Sequence, residues 1–193
     1  MRRRTLILAL PLAACAAPAL APGEAVPIAA GVALRVPHPA LLGQTITVEQ
    51  RVLAGFPGGG LGFETLLALS PRGLQMVALD GMGRRAMTID WRGKEPAIEA
   101  APWLPALFRP ENLLADLALI YWPTALLEPA LRQAGVRLEE APGLRRILSG
   151  DVEIAQAAYQ GPGGQGQRWQ GRVLFRNRAF SYSLDISSAV IDS

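Results

Sequence analysis

Alternation of polar and apolar residues in two separate blocks constrains the fold of this chain more than any other feature. In the first block, residues 45–52 and 84–91 alternate as strands with one buried face do. Turns rich in glycine and proline divide this block at the spacing of an antiparallel meander. The alternation returns after Gly135 and is clearest in residues 168–176 and 180–187. Both ends of the folded region are therefore predicted to be β-sheet.

Between the two blocks the pattern becomes helical, at residues 110–122 and 124–134. Leu113, Leu117 and Ile120 fall on one stripe of the first helix, which opens with a proline and an acidic residue, as helix starts prefer. The second helix ends at a glycine and contains an internal proline, which is unfavourable there. Strands and helices do not alternate along the chain, and this excludes a doubly wound parallel sheet.

The order of elements predicts a mainly β fold of the α+β class. About nine strands approach the number at which an open twisted sheet curls on itself. We therefore expect a curled antiparallel sheet that forms an unclosed half-barrel, with the two helices as a lid on one side. A chain of 193 residues is long enough for one sizeable core.

The N-terminus has the layout of a bacterial lipoprotein signal. Three arginines are followed by an apolar run and by Ala13 and Ala14, which directly precede Cys15, the single cysteine. The apolar run is shorter than the roughly 20 residues of a membrane span. Residues 12–15 resemble a lipobox. The predicted divisions are a lipoprotein signal peptide (1–14), a lipidated tether (15–30) and a folded domain (31–193).

Lipidation of Cys15 is one of two interpretations, and an ordinary cleaved signal peptide with a chance cysteine is the other. An anchor of two or three acyl chains meets the requirement for stable membrane attachment. The residue after the cysteine is Ala16, not the aspartate that resembles an inner-membrane retention signal. The expected location is therefore the periplasmic face of the outer membrane.

Charge and residue counts exclude several classes of function. The formal net charge of +3 is matched by the three arginines at positions 2–4, which leaves no basic excess on the folded domain for nucleic acid. One cysteine and one histidine cannot form a disulfide framework or a multi-histidine zinc site. The sequence also lacks a nucleophile elbow and a P-loop. We expect no enzyme activity, cofactor or metal site, and a hydrolase that uses His38 is only a third hypothesis.

Large apolar residues on the predicted strands and helices are the candidates for a ligand cavity. They either fill a core or line a cavity for acyl chains, because a large curved sheet can hold a ligand where side chains leave its interior open. The sequence leaves both interpretations open. The cavity candidates are Phe63, Leu67, Met76, Met87, Ile89, Trp91, Leu113, Leu117, Ile120, Trp122, Trp169, Phe175, Phe180 and Tyr182.

Charged residues on the predicted strands give weaker signals. Arg168, Arg172 and Arg176 are predicted to line one face of a strand, as a solvated outer face or as a site for anionic lipid head groups. Glu139 and Glu140 point to opposite faces if their segment is a strand, which makes an acid/base pair unfavourable and favours solvation.

Residues 110–123, PENLLADLALIYWP, together with the lipobox and the order of strands and helices, resemble the LolA/LolB-like superfamily of bacterial lipoprotein carriers. More narrowly, the chain resembles an uncharacterised group of LolB-like lipoproteins associated with aryl-polyene or fatty-acid-like synthase clusters. The resemblance covers about residues 45–191. It implies an unclosed eleven-stranded barrel with a helical lid that holds acyl chains without cofactor or catalysis. By the same resemblance, Phe56 and Leu61 are candidates for a membrane-inserting loop.

The leading hypothesis is an outer-membrane-anchored carrier or chaperone that binds acyl chains in an apolar cavity. Its cargo would be lipoproteins or a lipid-like product, and its expected partners are acyl chains, a periplasmic delivery protein and the membrane that holds the anchor. The alternative is a non-catalytic envelope assembly lipoprotein that docks a protein partner through a sheet edge or the arginine-bearing face.

Overall fold

The computed structural model describes residues 25–105, 108–161 and 168–192, so the predicted signal peptide and Cys15 lie outside the described residues. The strands are β1 (Val26–Ala29), β2 (Val32–Leu34), β3 (Ile46–Phe56), β4 (Gly59–Ser70), β5 (Gly73–Asp80), β6 (Arg85–Trp91), β7 (Ala97–Ala100), β8 (Arg137–Ala141), β9 (Leu144–Ser149), β10 (Val152–Gln160), β11 (Gly171–Asn177) and β12 (Tyr182–Asp192). The helices are α1 (Pro110–Tyr121) and α2 (Thr124–Gln133), and a short 3-10 helix spans Pro39–Leu42.

Ten strands form one antiparallel sheet in the order β7-β6-β5-β4-β3-β12-β11-β10-β9-β8. Each block of the sequence forms one half, and β3 and β12 join the halves at the centre. The outermost strands, β7 and β8, do not pair with each other, so the sheet is not closed into a barrel. The predicted fold class is confirmed, with ten strands in the sheet where about nine, or by resemblance eleven, were expected.

The period-two pattern gives the sheet a buried face and an exposed face. On β3, Val48 and Ala54 are buried on the inner face, whereas Glu49, Arg51 and Leu53 are exposed on the outer face. The buried residues of the sheet, of the helices and of the β1–β2 hairpin join in one hydrophobic cluster. The core therefore lies between the inner face of the sheet and the elements that cover it.

The two helices connect the edge strands β7 and β8. Every residue from Leu114 to Tyr121 is buried, because α1 contacts the sheet edge on one side and the β1–β2 hairpin on another. A helix apolar on all sides must be surrounded by protein. The backbone of Trp122 is extended, and Pro123 follows it, which ends α1. The helices thus cover the open side of the half-barrel.

The β1–β2 hairpin corrects the predicted tether at 15–30. Val26, Ile28 and Leu34 are almost fully buried in the main hydrophobic cluster. The fold therefore includes residues that the sequence analysis assigned to the tether. The hairpin is short and has a proline in its first strand, so its pattern is too brief to distinguish from an alanine- and proline-rich linker.

The expected loop at residues 56–61 is also corrected. The β3 strand runs to Phe56 and β4 begins at Gly59, so only Pro57 and Gly58 form the turn. Gly58 has a φ of +90°, which favours glycine. Leu61 lies within β4 and packs against the core, and it does not project from a loop.

Arg168 does not share a face with the other two strand arginines. It lies before β11, and its guanidinium donates to the Trp122 carbonyl at 2.8 Å and to Glu140 at 2.9 Å. Arg172 and Arg176 are exposed on β11. The three-arginine face predicted from the sequence is therefore wrong, because regular alternation begins only at Gly171, where the strand begins.

Candidate functional site

An open pocket of about 420 Å³ lies at the end of the sheet that carries the β3–β4 and β11–β12 turns. We call it the mouth pocket. The start of α1 forms one wall, and the ends of β3 and β12 form the others. Seven of its eleven lining residues are apolar. The lining residues are Ala54, Phe56, Pro57, Phe108, Arg109, Asn112, Leu113, Asp116, Phe180, Tyr182 and Leu184.

A smaller, more enclosed space of about 40 Å³ lies beneath α1, beside the mouth pocket. Ala54, Phe108, Leu113 and Leu184 line both spaces, so the two are adjacent. This inner cavity has room for only a few water-sized groups, since one water needs about 10–15 Å³. Among the described residues, this inner cavity is therefore much smaller than the mouth pocket.

The structure divides the cavity candidates into two groups. Seven line the mouth pocket or the inner cavity: Phe63, Met76, Met87, Leu113, Leu117, Phe180 and Tyr182. Seven are buried and line neither space: Leu67, Ile89, Trp91, Ile120, Trp122, Trp169 and Phe175. The sequence did not distinguish the groups, because both consist of large apolar residues on the predicted strands and helices.

Apolar side chains from two turns of the sheet line the mouth pocket. Phe56 and Pro57 contribute from the β3–β4 turn. Phe180, predicted to lie in a strand, is instead in the β11–β12 turn and is 37% exposed. The tip of the β3–β4 hairpin therefore forms part of the pocket wall.

One buried carboxyl group faces this mainly apolar pocket. Asp116 is 4% exposed, and the Tyr182 hydroxyl lies 2.7 Å from each of its oxygens. The Asn177 amide donates to the same hydroxyl at 3.3 Å. Burial raises the pKa of Asp116 to about 7, although the hydrogen bond from Tyr182 lowers it. Burial and the adjacent Asp116 also raise the pKa of Tyr182.

The positions of Arg109, Asn112, Leu113 and Asp116 follow from helical spacing. Residues three, four and seven apart share one helix face, and all four line the mouth pocket. Arg109 is exposed, and its guanidinium makes no ion pair with any residue that the structure describes. Arg109 directly precedes α1 with an extended backbone, and at 1.5 Å per residue Asp116 lies about 9 Å along the helix from Pro110. The cation thus lies at the opening and the carboxyl lies deeper.

Polar side chains close the interior at the other end of α1. Gln50 donates to the Tyr121 hydroxyl at 2.8 Å and to Ser188 at 3.0 Å, and Thr65 donates to Gln50 at 3.4 Å. Trp169 stacks on the Tyr121 ring with centroids 4.1 Å apart. Burial raises the pKa of Tyr121, so its hydroxyl stays neutral. This end of the interior is a satisfied, packed network.

Arg145 holds the C-terminal end of α1. Its side chain is 1% exposed and donates to the carbonyls of Leu119 and Trp122 at 2.8 and 2.9 Å. It also pairs with Glu140 at 2.6 Å. Burial raises the pKa of Glu140, but hydrogen bonds from Thr124 and Arg145 and the nearby cations hold it below its ordinary value. Glu140 is therefore an ion-pair partner, contrary to the predicted solvated role.

Both ring nitrogens of His38 form hydrogen bonds with the backbone, which is a structural role. Its Nδ1 accepts from the Ala40 amide at 3.1 Å, and its Nε2 lies 2.9 Å from the Gly93 carbonyl. Within the described ranges, no three His, Cys, Asp or Glu side chains are grouped to hold a metal ion.

None of the described helices has the length and apolarity that crossing a membrane requires.

A shallow groove of about 760 Å³ lies on the outer side of the sheet. Leu66, Val77 and Leu79 line it together with charged residues of β3 and β4. It is more open than the mouth pocket, and Leu66 is 47% exposed. The groove therefore provides a comparison surface for tests of the mouth pocket.

Asp116 was absent from the candidates drawn from the sequence. It is the single charged residue in the run from Leu113 to Trp122. A charged residue inside an apolar helix is a recognisable signal, because buried charges are rare unless they have a partner. The partner, Tyr182, lies 66 residues away in sequence, and only the fold brings the two together.

Residues 47–190 match a family model described as a protein of unknown function, DUF3261. Among solved structures, the chain is similar to the crystal structure of a LolA superfamily protein from Nitrosomonas europaea. The two are 8% identical, the similarity covers 76% of this chain and 84% of the other, and the TM-score is 0.41. The comparison with curated proteins finds no match.

Proposed function

We propose that this chain, which belongs to the DUF3261 family, binds the apolar chain of an amphiphile in the mouth pocket. The observation that carries the proposal is an open space of about 420 Å³ with mainly apolar walls, next to an apolar inner cavity. Small-molecule sites have volumes of about 300–1,000 Å³ and a few placed polar groups. Seven apolar residues, one buried carboxyl and one exposed guanidinium fit that description.

The volumes of the mouth pocket and the inner cavity limit how much of a ligand's apolar chain can enter. The inner cavity of about 40 Å³ ends at packed side chains, so a chain occupies the mouth pocket and extends little beyond Leu113 and Leu117. We therefore propose that the protein takes one chain, or the end of one, and leaves the head group at the opening near Arg109. Catalysis is not part of the proposal, because binding alone accounts for the walls of the pocket.

We further propose a role as a carrier or chaperone for lipoproteins or a lipid-like product, anchored through Cys15 at the periplasmic face of the outer membrane. This role rests on the lipobox and on the sequence resemblance described above. Val26 is eleven positions after Cys15, a reach of at most about 40 Å when fully extended. A lipid anchor would thus keep the mouth pocket near the membrane, where a delivery partner could pass cargo to it.

The alternative, a docking protein for envelope assembly, has less support. Arg172 is paired with Asp185 at 2.7 Å, so its charge is compensated. The edge strand β7 has four residues, and β8 carries three charged residues. Short and charged edge strands are devices that prevent pairing with another chain.

A titration with a fluorescent fatty-acid probe, dansylaminoundecanoic acid, tests the proposal. The sample is the secreted chain with Cys15→Ser, so that no attached acyl chain competes. We expect saturable binding with a blue-shifted emission, because the dansyl group or the chain leaves water. Leu113→Trp fills the junction of the two spaces and is expected to weaken binding by at least about tenfold.

The matched control is Leu66→Trp, which makes the same exchange in the outer groove. It is expected to leave the dissociation constant unchanged. Absence of saturable binding to the Cys15→Ser chain, or equal weakening by both variants, would contradict binding in the mouth pocket. Near-ultraviolet circular dichroism establishes that each variant is folded before it is titrated.

The anchor has a separate test. Cells that express the full chain are labelled with radioactive palmitate, and we expect label on the wild-type protein in the outer-membrane fraction. The Cys15→Ser variant is expected to carry no label and to be recovered in the periplasm. Unlabelled wild-type protein would contradict lipidation without affecting the proposal for the mouth pocket.

A further inference from the structure

The buried carboxyl of Asp116 has fewer hydrogen-bond donors than a carboxylate can accept. The two oxygens of an ionised carboxylate offer about four acceptor positions, and a protonated carboxyl keeps part of this acceptor capacity beside its own O–H donor. Among the described residues, the Tyr182 hydroxyl is the one side-chain donor recorded, and its single proton is shared between both oxygens at 2.7 Å. A buried polar group without full partners is costly. The carboxyl therefore has unused capacity for a donor.

The free acceptor positions of the Asp116 carboxyl face the mouth pocket and not the rest of the core. Asp116 lines the pocket, and so does Tyr182. Asn177 donates to Tyr182, so the chain of hydrogen bonds runs from Asn177 through Tyr182 to Asp116 and ends there. Leu113 and Leu184 beside it are apolar and supply no donor, and the described structure contains no hydrogen bond to Asp116 from the two other side chains of the pocket with N–H donors, Asn112 and Arg109.

We propose that Asp116, positioned by Tyr182, is a polar subsite that selects amphiphiles with a hydrogen-bond donor, a hydroxyl or an amide N–H, on the inserted part of the apolar chain. The inference rests on the proposed function, because it assumes that a chain enters the mouth pocket. It adds a chemical class of ligand: a chain with a donor is favoured over a chain of equal size without one.

Apolar walls and a buried acceptor together account for the selectivity. The walls contribute affinity in proportion to the buried apolar area, whatever the chain carries. A donor adds a hydrogen bond to a buried acceptor, and a chain without one leaves the acceptor shielded from water and unsatisfied. This asymmetry is how sites discriminate against analogues that lack a donor.

Two isomeric ligands allow selection for a hydrogen-bond donor to be tested separately from binding of the apolar chain. Decanol and nonyl methyl ether have the same formula and nearly the same apolar surface, but only decanol has a donor. Neither carries a second polar group that would keep its oxygen-bearing end at the opening, so that end can reach Asp116. Each is titrated against the Cys15→Ser chain by displacement of the dansyl probe. We expect both to bind, with decanol about tenfold tighter.

The variant for this test is the double exchange Asp116→Leu with Tyr182→Phe. It replaces both polar partners by apolar groups of similar shape, which can be nearly neutral for folding. We expect the decanol-to-ether affinity ratio to fall to about one, while the ether still binds. Glu64→Leu is the control, since it removes an exposed carboxyl in the outer groove and leaves the mouth pocket intact, and it is expected to retain the ratio.

Equal affinity of the isomers for the Cys15→Ser chain would overturn the inference and leave the proposed function in place. A ratio that persists in the double variant would also overturn it. Failure of both isomers to bind would overturn the proposed function and the inference together. The ratio for the unaltered pocket is measured on folded protein with its native side chains, so the test does not depend on the double variant.

Discussion

Asp116 determines the polarity of the mouth pocket, and its ionisation should be visible in the stability of the protein. Burial raises its pKa to about 7 from an ordinary value of 3.8. As the pH rises between these values, the unfolded chain loses this proton while the folded chain keeps it. The free energy of unfolding therefore falls with rising pH in this window, by at most about 1.4 kcal/mol per pH unit for one group. The nearest polar partner, Tyr182, stays neutral because its pKa is raised.

Asp116→Asn should remove this part of the pH dependence. Urea denaturation from about pH 4.5 to about pH 8 is expected to show a smaller decline in the free energy of unfolding for the variant than for the wild type. Glu140, whose pKa is lowered, contributes with the opposite sign and is present in both proteins. Identical pH profiles would show that Asp116 is not the titrating group.

At the scale of elements, α1 is held firmly at one end. Arg145 binds its last carbonyls, Tyr159 donates to the Ile120 carbonyl at 2.6 Å, and the Trp122 indole donates to the Pro37 carbonyl at 3.0 Å. These bonds lie at the closed end of the interior. The start of α1 instead borders the mouth pocket. Any adjustment of α1 to a ligand should therefore occur at its N-terminal end.

The contribution of Arg145 can be measured against its neighbour. Arg145→Met leaves two buried carbonyls of α1 with fewer donors and removes a buried ion pair, so we expect a loss of roughly 3 kcal/mol in the free energy of unfolding. Arg146→Met, on the exposed side of β9, is expected to cost less than about 1 kcal/mol. Urea denaturation of both variants provides the comparison. Equal losses would contradict the anchoring role of Arg145.

The sequence predicted most elements, because alternation and helical stripes report directly on which face of an element is buried. Residues 110–122 were predicted as a helix, and α1 spans Pro110–Tyr121. Short or irregular pieces were predicted poorly. The β1 strand of the hairpin was assigned to the tether, and Arg168 was placed on a strand that begins only at Gly171.

At the scale of the whole molecule, the site was only partly predictable. Apolar candidates such as Leu113 and Trp122 look alike in sequence, yet Leu113 lines the mouth pocket and Trp122 fills the core. The difference depends on how side chains from both halves of the sheet fill the space under α1. A local sequence pattern does not show how much of that space remains unfilled. The pairing of Asp116 with Tyr182 likewise requires β12 to lie beneath α1.

A ligand in the mouth pocket would lie between α1 and the inner face of β12. Intermolecular nuclear Overhauser effects between bound decanol and a methyl-labelled Cys15→Ser chain test this position. We expect contacts from the ligand's chain protons to the methyl groups of Leu113 and Leu184, which line the mouth pocket. Contacts confined to Leu66 and Val77 in the outer groove, or no contacts at a saturating ligand concentration, would contradict it.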